Sequence, residues 1–408
     1  MNGFLLTGEK KECFGCEACV QICPKQAIKM TEDGEAFRYP VVDTATCVHC
    51  GLCEQVCPVV HLPETEACEK VVFGGYHKDS RIRGESTSGG AFSAIVEGWC
   101  DKDYAIFGAV ADGLRVYHDY ITNKSQLQKF RKSKYAQSEM GNAYQNVRQF
   151  LRQGKKVLFS GTPCQIAGLR AFLGKTDCTN LLTVEVICEG VPSPLFIRSY
   201  DRMMQKRYGA PIKHLDYRYK DMRLLENPVS GKWDFQVMKT SLQNGKILKK
   251  DRWFNPFWSI WLQHLMSRPS CYKCPFAKAD RYADITLGDL WGVHLYCPEL
   301  YGRNGGVSLI VCNTDAGKVA LQTAMPYLYG HGLDFATALK YQGPMRKHID
   351  GNPERNAFLQ DAKTMEYSEL CKKWAKKPTL KLLFQKYVWG NRNKIALWKL
   401  TKGRYHIQ

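Results

Sequence analysis

The run C-x2-C-x2-C-x3-C-P occurs twice in the first sixty residues. Cys13-Phe-Gly-Cys16-Glu-Ala-Cys19-Val-Gln-Ile-Cys23-Pro24 recurs as Cys47-Val-His-Cys50-Gly-Leu-Cys53-Glu-Gln-Val-Cys57-Pro58. Three thiolates two residues apart wrap one face of an iron–sulfur cubane. The chain then turns away at proline, and the fourth cysteine reaches the other cubane. This spacing assigns Cys13, Cys16, Cys19 and Cys57 to one 4Fe-4S cluster and Cys47, Cys50, Cys53 and Cys23 to a second. Zinc is the competing reading, but zinc sites do not need four cysteines in this compact repeated form. Residues 1–63 are therefore expected to form a two-cluster ferredoxin-like domain that passes single electrons.

Eighteen cysteines in a small secreted chain would imply disulfides. This chain has 408 residues and reaches Cys13 without an apolar leader. Cysteines two apart then imply metal thiolates in a reducing compartment, and a cytoplasmic location is expected. The most apolar stretch, 254–266, is broken by Asn255, Pro256, Gln263 and His264, so no membrane span is expected. The formal charge is +19. Each cluster with its four thiolates removes about two of these charges, and the chain remains basic. Basic chains favour acidic electron carriers, anionic cofactors or anionic lipid surfaces. No recognised nucleic-acid-binding motif accompanies the charge, and no nucleic acid is expected as a partner.

Residues 61–70, with Pro63 and three glutamates, read as a linker. Beyond them, apolar runs expected as strands (71–76, 104–110, 115–120, 156–160, 181–187, 234–239, 284–288 and 307–313) are interspersed with helical patterns at 91–100, 141–152, 165–173 and 195–208. This pattern predicts an α+β or α/β domain with a mixed sheet over residues 70–330. Residues 331–408 are expected as a basic, mainly helical extension. In it, leucines, aromatics and lysines interleave over 371–377, 380–389 and 394–402. Such a helix can lie on an anionic membrane surface, or pack on the main domain with its lysines in solvent.

Four further cysteines sit in distinctive settings. Cys164 follows a strand in Phe159-Ser-Gly-Thr-Pro-Cys164, and Cys188 ends the apolar run Val184-Glu-Val-Ile-Cys188. Cys271 and Cys274 form a C-x2-C loop. Two cysteines at strand ends and a closing loop suit a third 4Fe-4S cluster or zinc. Cys164 at a helix N-terminus also reads as a nucleophile, and Cys188 as a small core residue. The remaining six, Cys68, Cys100, Cys178, Cys297, Cys312 and Cys371, lack metal-like spacing and are expected as ordinary core or surface residues.

Gly84-Glu-Ser-Thr-Ser-Gly-Gly90 runs into an apolar helix. Glycines and hydroxyls at a helix N-terminus expose backbone N–H groups to a phosphate or pyrophosphate. A plain N-cap by Ser86, Thr87 or Ser88 explains the same residues. Arg131-Lys-Ser-Lys-Tyr-Ala-Gln-Ser138 offers cations, an aromatic and amides to an anionic cofactor, or is a solvated loop. Gly288-Asp-Leu-Trp-Gly292 and Asn304-Gly-Gly-Val-Ser308 are Gly-rich turns at strand ends, where α/β folds place ligands.

In order along the chain, Ser86-Thr-Ser-Gly-Gly90, Ser133-Lys-Tyr135, Gly161-Thr-Pro-Cys-Gln165, Cys188-Glu-Gly-Val-Pro192, Cys271-x2-Cys274 and Ala283-Asp-Ile-Thr-Leu-Gly-Asp289 resemble the coenzyme F-420 (8-hydroxy-5-deazaflavin) hydrogenase/dehydrogenase β-subunit family. The resemblance spans residues 1 to about 320. It implies an FAD and a 4Fe-4S cluster in the main domain, with Cys164, Cys188, Cys271 and Cys274 as the cluster ligands. Ser88, Gly89, Gly90, Lys134, Tyr135, Ser138, Thr162 and Asp289 are then the expected cofactor contacts. Members pass electrons between clusters and FAD, which exchanges a hydride with an organic substrate. The expectation is an FAD- and 4Fe-4S-dependent oxidoreductase served by a ferredoxin or a redox partner subunit. The alternative is a non-catalytic electron-transfer subunit whose active site lies in a partner.

Overall fold

The computed structural model describes residues 1–65, 68–220, 237–300 and 305–389, with single positions at 393, 396 and 400. The N-terminal module keeps the symmetry of its sequence. Each cysteine run enters a short helix, Ala18–Ile22 in the first repeat and Leu52–Gln55 in the second. Between the repeats, β1 (Ile28–Glu32) pairs antiparallel with β2 (Arg38–Val42). The turn joining them is held by Asp33, whose carboxylate accepts from the backbone N–H groups of Glu35 at 2.9 Å and Phe37 at 3.0 Å.

The main domain contributes β3 (Val71–His77), β4 (Tyr104–Asp112), β5 (Arg115–Ile121), β6 (Lys156–Gly161), β7 (Leu181–Val186), β8 (Ile212–Tyr219), β9 (Val237–Leu242), β10 (Ile247–Lys250), β11 (Ile285–Asp289), β12 (Ser308–Cys312) and β13 (Leu328–Leu333). Eight of these form one mixed sheet in the order β13-β3-β12-β11-β7-β6-β4-β5. Within it β4, β6, β7 and β11 run parallel, and their carboxyl ends point to one edge. Strands buried on both faces read as unbroken apolar runs. Val157, Leu158 and Phe159 of β6 are accordingly all fully buried. Alternate residues face two cores. Phe107 and Phe159 meet the helices Ala143–Arg152 and Pro163–Leu173, while Ile106 and Leu158 meet the helices Ala91–Trp99 and Asp315–Ala324.

The ferredoxin-type module is built into this body. Phe14, Ala18, Val56 and Val59 share a core with Phe159, Ile166 and Phe276. Phe14 meets Phe276 edge-on at 5.2 Å, a contact worth about 0.5–1.5 kcal/mol beyond its buried area. A second, three-stranded sheet of β8, β9 and β10 packs with the helix Pro194–Tyr208 on Phe257, Trp258 and Trp261.

The expected architecture of a ferredoxin-type domain followed by a mixed α/β domain is present. The strand expected at 234–239 falls at Val237–Leu242, and residues 234–236 lie outside the described set. The main sheet continues through β13 to Leu333, past the expected boundary at 330. Helices Arg355–Thr364 and Tyr367–Trp374 bury Phe358, Leu359 and Leu370 against the helix Pro194–Tyr208. The tail segment 394–402 lies almost wholly outside the described residues. No helix among the described residues is long and apolar enough to cross a membrane.

Candidate functional site

Cys13, Cys16, Cys19 and Cys57 line one cavity together with Cys53. Cys57 comes from the second repeat and stands with the first triplet. Burial raises the thiol pKa of Cys13, Cys16 and Cys19, and the neighbouring Cys57 charge raises each further. At the other pole, burial, Glu54 and Cys23 raise the Cys53 thiol. Cys23 accepts the Ala27 N–H at 3.4 Å, and Cys50 is solvent-exposed.

A third group forms at the carboxyl edge of the parallel strands. Thr162 ends the turn after β6 and caps the helix Pro163–Leu173, with Gln165 completing a capping box. This cap presents Cys164 on the first turn, with the Thr162 hydroxyl 3.2 Å from its sulfur. Cys188 lies two residues past β7 and accepts the Gly190 N–H at 3.4 Å. Cys271 and Cys274 come from the turn around Pro269–Lys273. Burial raises the thiols of Cys164, Cys188 and Cys274, and lifts Cys271 to about 11. Cys274 is raised further by Cys164, Cys271 and Cys188 together, so the four lie near one another. Burial thus opposes the low-pKa nucleophile at Cys164.

Buried thiolates so placed need a cationic partner. Bonds of 2.3 Å to a tetrahedral zinc hold four sulfurs about 3.8 Å apart. Among the described residues no three cysteine sulfurs lie within 4.8 Å of one another.

The first and third groups adjoin. Gly168 lies one turn beyond Cys164 on the same helix face, and a Cβ there would sit 3.0 Å from the Cys16 sulfur. Arg268, which the sequence pattern did not single out, is fully buried beside both groups. The only signal for it was its place three residues before Cys271.

Cationic residues gather beside Ser88–Gly90 at the same sheet edge. Lys220 Nζ donates to the carbonyls of Arg83, Ser88 and Gly305. Arg83 donates to the Gly306 carbonyl and lies over the Tyr76 ring at 3.6 Å. Burial and the nearby Arg218 and Arg83 charges depress Lys220 well below the usual lysine range. Asp289, at the end of β11, pairs in bidentate fashion with Arg218. Tyr135 packs on Tyr217 and Trp258, and its hydroxyl bonds Arg218. Lys134 Nζ caps the carbonyls of Lys129, Phe130 and Arg131, and burial lowers it to about 7. Ser133 N–H donates to the Thr87 hydroxyl at 2.7 Å, which ties the two candidate loops together. Burial raises the Glu189 carboxyl, next to Cys188, and the Arg252 charge opposes that rise.

Gly89 does not offer a free N–H, because it donates to Ser308 Oγ at 2.9 Å. A Cβ on Gly89 would meet the Gly75 carbonyl at 2.6 Å, so close strand packing already requires glycine here. Ser138 and Thr162 stand away from the cations, in a buried chain. Gln165 donates to Ser138 Oγ at 2.8 Å, Ser138 faces His118 Nδ1 at 2.9 Å, and His118 Nε2 faces the Ser160 carbonyl at 2.9 Å. Burial lowers the His118 pKa to about 4, so the ring is neutral and donates through Nε2.

Residues 12–60 match a family described as a 4Fe-4S dicluster domain. Residues 154–329 match the family described as the C terminus of the beta subunit of coenzyme F-420 hydrogenase/dehydrogenase. That part of the chain is similar to this family. No curated protein matches the sequence. A solved chain of the F-420-reducing NiFe hydrogenase complex from Methanosarcina barkeri is 14% identical, with 74% of this chain and 89% of that chain covered. Its TM-score of 0.42 carries no argument about fold or function.

The F-420 β-subunit region contains all four cysteines of the third group and Asp289, while the dicluster region contains the first eight. The six other cysteines are mostly placed as expected: Cys100, Cys297 and Cys312 are buried. Cys297 adds one feature, since its sulfur lies within 4.8 Å of Glu299 and His331. There the carboxylate and imidazole are already paired with each other.

Proposed function

We propose that this chain relays single electrons from a carrier protein through three 4Fe-4S clusters to FAD, for two-electron exchange with an organic substrate. The carrying observation is the contiguity of the cysteine groups, from exposed Cys50 through Cys53 and Cys16 to Cys164 at the sheet edge. In this reading the ligand sets are Cys47, Cys50, Cys53 and Cys23; Cys13, Cys16, Cys19 and Cys57; and Cys164, Cys188, Cys271 and Cys274. The exposed second set receives the carrier, and the basic surface favours an acidic one.

The cationic cluster beside Ser88–Gly90 supports a site for the diphosphate of a flavin nucleotide. Arg83 and Arg218 supply cations, Lys220 ties the Ser88 and Gly305 loops together, and Tyr135 and Asp289 hold the Arg218 fork in place. FAD supplies the conversion between one-electron and hydride chemistry. The chain's own residues orient the anion and exclude water from the buried edge. Ser88–Gly90 and Lys134 support the pocket through the backbone.

A second reading keeps the clusters and omits the flavin, as a subunit serving an active site in a partner. It is favoured by the family's own description as a β subunit. Anaerobically purified full-length protein is expected to hold about twelve irons, matching sulfide, and one FAD per chain. Twelve irons without flavin would select the second reading. Eight irons would remove the third cluster.

The tail supports a peripheral contact. Leu380, Phe384 and Val388 are exposed, and lysines 372, 373, 376, 377 and 381 flank them. Full-length protein is expected to sediment with anionic vesicles at low salt and release at moderate salt. Equal, poor binding by full-length protein and a chain ending at Ala375 would make the tail structural.

A further inference from the structure

Arg268 is fully buried at the junction of two cysteine groups. Its Nε donates to the Cys13 carbonyl at 2.8 Å, and Nη2 lies 3.5 Å from the Cys13 sulfur. Nη1 donates to Gln137 Oε1 at 2.8 Å, and Nη2 also donates to the Arg38 carbonyl at 2.9 Å. The ring of Tyr39 lies 4.3 Å from the guanidinium carbon. These partners are neutral apart from the sulfur. Glu17, in the same cysteine run as Cys13, is paired with Arg38 at 2.9 Å.

The same residue carries the third group. Its backbone N–H donates to the Val191 carbonyl at 2.9 Å, beside Cys188, and its carbonyl accepts the Cys271 N–H at 2.9 Å. Its charge lies close enough to favour the thiolates of Cys13, Cys164 and Cys271 alike. For Cys53 in the second repeat the leading influences are burial, Glu54 and Cys23.

We propose that Arg268 is a positioning residue that raises the reduction potentials of the two adjoining clusters, those of Cys13/16/19/57 and Cys164/188/271/274. The proposal rests on the reading that both cysteine groups hold 4Fe-4S clusters. One-electron reduction adds one negative charge to a cluster and moves no proton to Arg268, which stays charged at any working pH. A fixed cation in a low-dielectric site stabilises the reduced form and raises the potential. The guanidinium touches the Cys13 sulfur and the backbone of the same residue is bonded to the Cys271 N–H, so one cation stands beside both groups and raises both potentials. Arginine suits the place because its planar fork satisfies two carbonyls, an amide and a sulfur at once, which a lysine ammonium cannot match.

The test is potentiometric titration, followed by electron paramagnetic resonance, of full-length wild type, Arg268→Gln and Arg268→Lys, each with an iron count. Arg268→Gln is expected to shift both adjoining clusters to more negative potentials and leave the Cys47/50/53/23 cluster unmoved. Arg268→Lys is expected to stay near wild type, since it keeps the charge. Unmoved potentials in Arg268→Gln with full iron content would overturn the proposal, as would equal shifts in all three clusters. Where Arg268→Gln loses iron, the lysine variant decides: retained potentials support a charge effect, and potentials that fall despite the retained charge overturn it. Wild type with only eight irons would instead sink the reading of the third group, a result distinct from unmoved potentials.

Discussion

Replacing Cys57 with serine is expected to remove the cluster of Cys13, Cys16 and Cys19 and to spare the cluster of Cys47, Cys50 and Cys53. Iron should fall from about twelve to about eight per chain. Cys57 belongs by sequence to the second repeat, so a local reading predicts the opposite damage. In space its sulfur lines the same cavity as the first triplet, beneath Gly3, whose Cβ position is 3.6 Å away. Its charge also raises the thiols of Cys13, Cys16 and Cys19. Serine keeps the size but is a poor ligand for iron compared with a thiolate. Anaerobic iron analysis with cluster-resolved paramagnetic spectra reads the outcome. Loss confined to the Cys47 cluster would reverse the ligand assignment. Loss of about eight irons, with the Cys47 cluster kept, would mean that the first cluster is needed to assemble the third, as the contact of Cys16 with the helix of Cys164 permits.

The cysteine framework was legible because ligand spacing is a covalent constraint written along the chain. The expected crossing of Cys57 and Cys23 between repeats rests on the full C-x2-C-x2-C-x3-C-P pattern, with Pro24 and Pro58 turning the chain away. Cys164 and Cys188 were legible as strand-end residues because β6 and β7 are unbroken apolar runs. Arg268 was not legible: its role arises from contacts 255 residues apart, to Cys13, which no local pattern encodes. Lys220 escaped for the same reason, since it bridges Arg83, Ser88 and Gly305 across the fold. Gly89 shows a pattern with two causes. A glycine before a helix suits a phosphate, yet here the absent side chain is demanded by the backbones of β3 and β12. Likewise Thr162 and Ser138 were picked for their hydroxyls, which the fold spends on a helix cap and on the His118 network.

The largest loss of stability is expected from Arg281→Leu. Arg281 and Glu185 are paired at almost zero exposure, between the loop that follows Cys274 and the centre of β7. Glu185 also accepts the Thr286 hydroxyl at 2.8 Å, and Arg281 donates to the carbonyls of Phe276 at 2.9 Å and Lys278 at 3.0 Å. The pair thus fastens the Cys271–Cys274 loop to the strands that carry Cys188 and Asp289. Removing the arginine leaves a carboxylate stranded between fully buried strands, along with two carbonyls that lose their donor. Breaking such a pair typically costs about 3–5 kcal/mol, whereas replacing both partners by apolar residues is often near neutral. Chemical denaturation of the full-length holoprotein should therefore show a large loss for Arg281→Leu. Glu185→Leu with Arg281→Leu should recover part of it, but not all, because the carbonyls of Phe276 and Lys278 stay without their donor. A single variant as stable as wild type would show that the buried charge is neutralised or solvated in some other way. A double variant no better than the single would assign the cost to the loop carbonyls and not to the stranded carboxylate. Iron content, measured alongside, separates the two roles. If the loop is fastened chiefly by this pair, the Cys164/188/271/274 cluster should be lost from Arg281→Leu before either cluster of the N-terminal module.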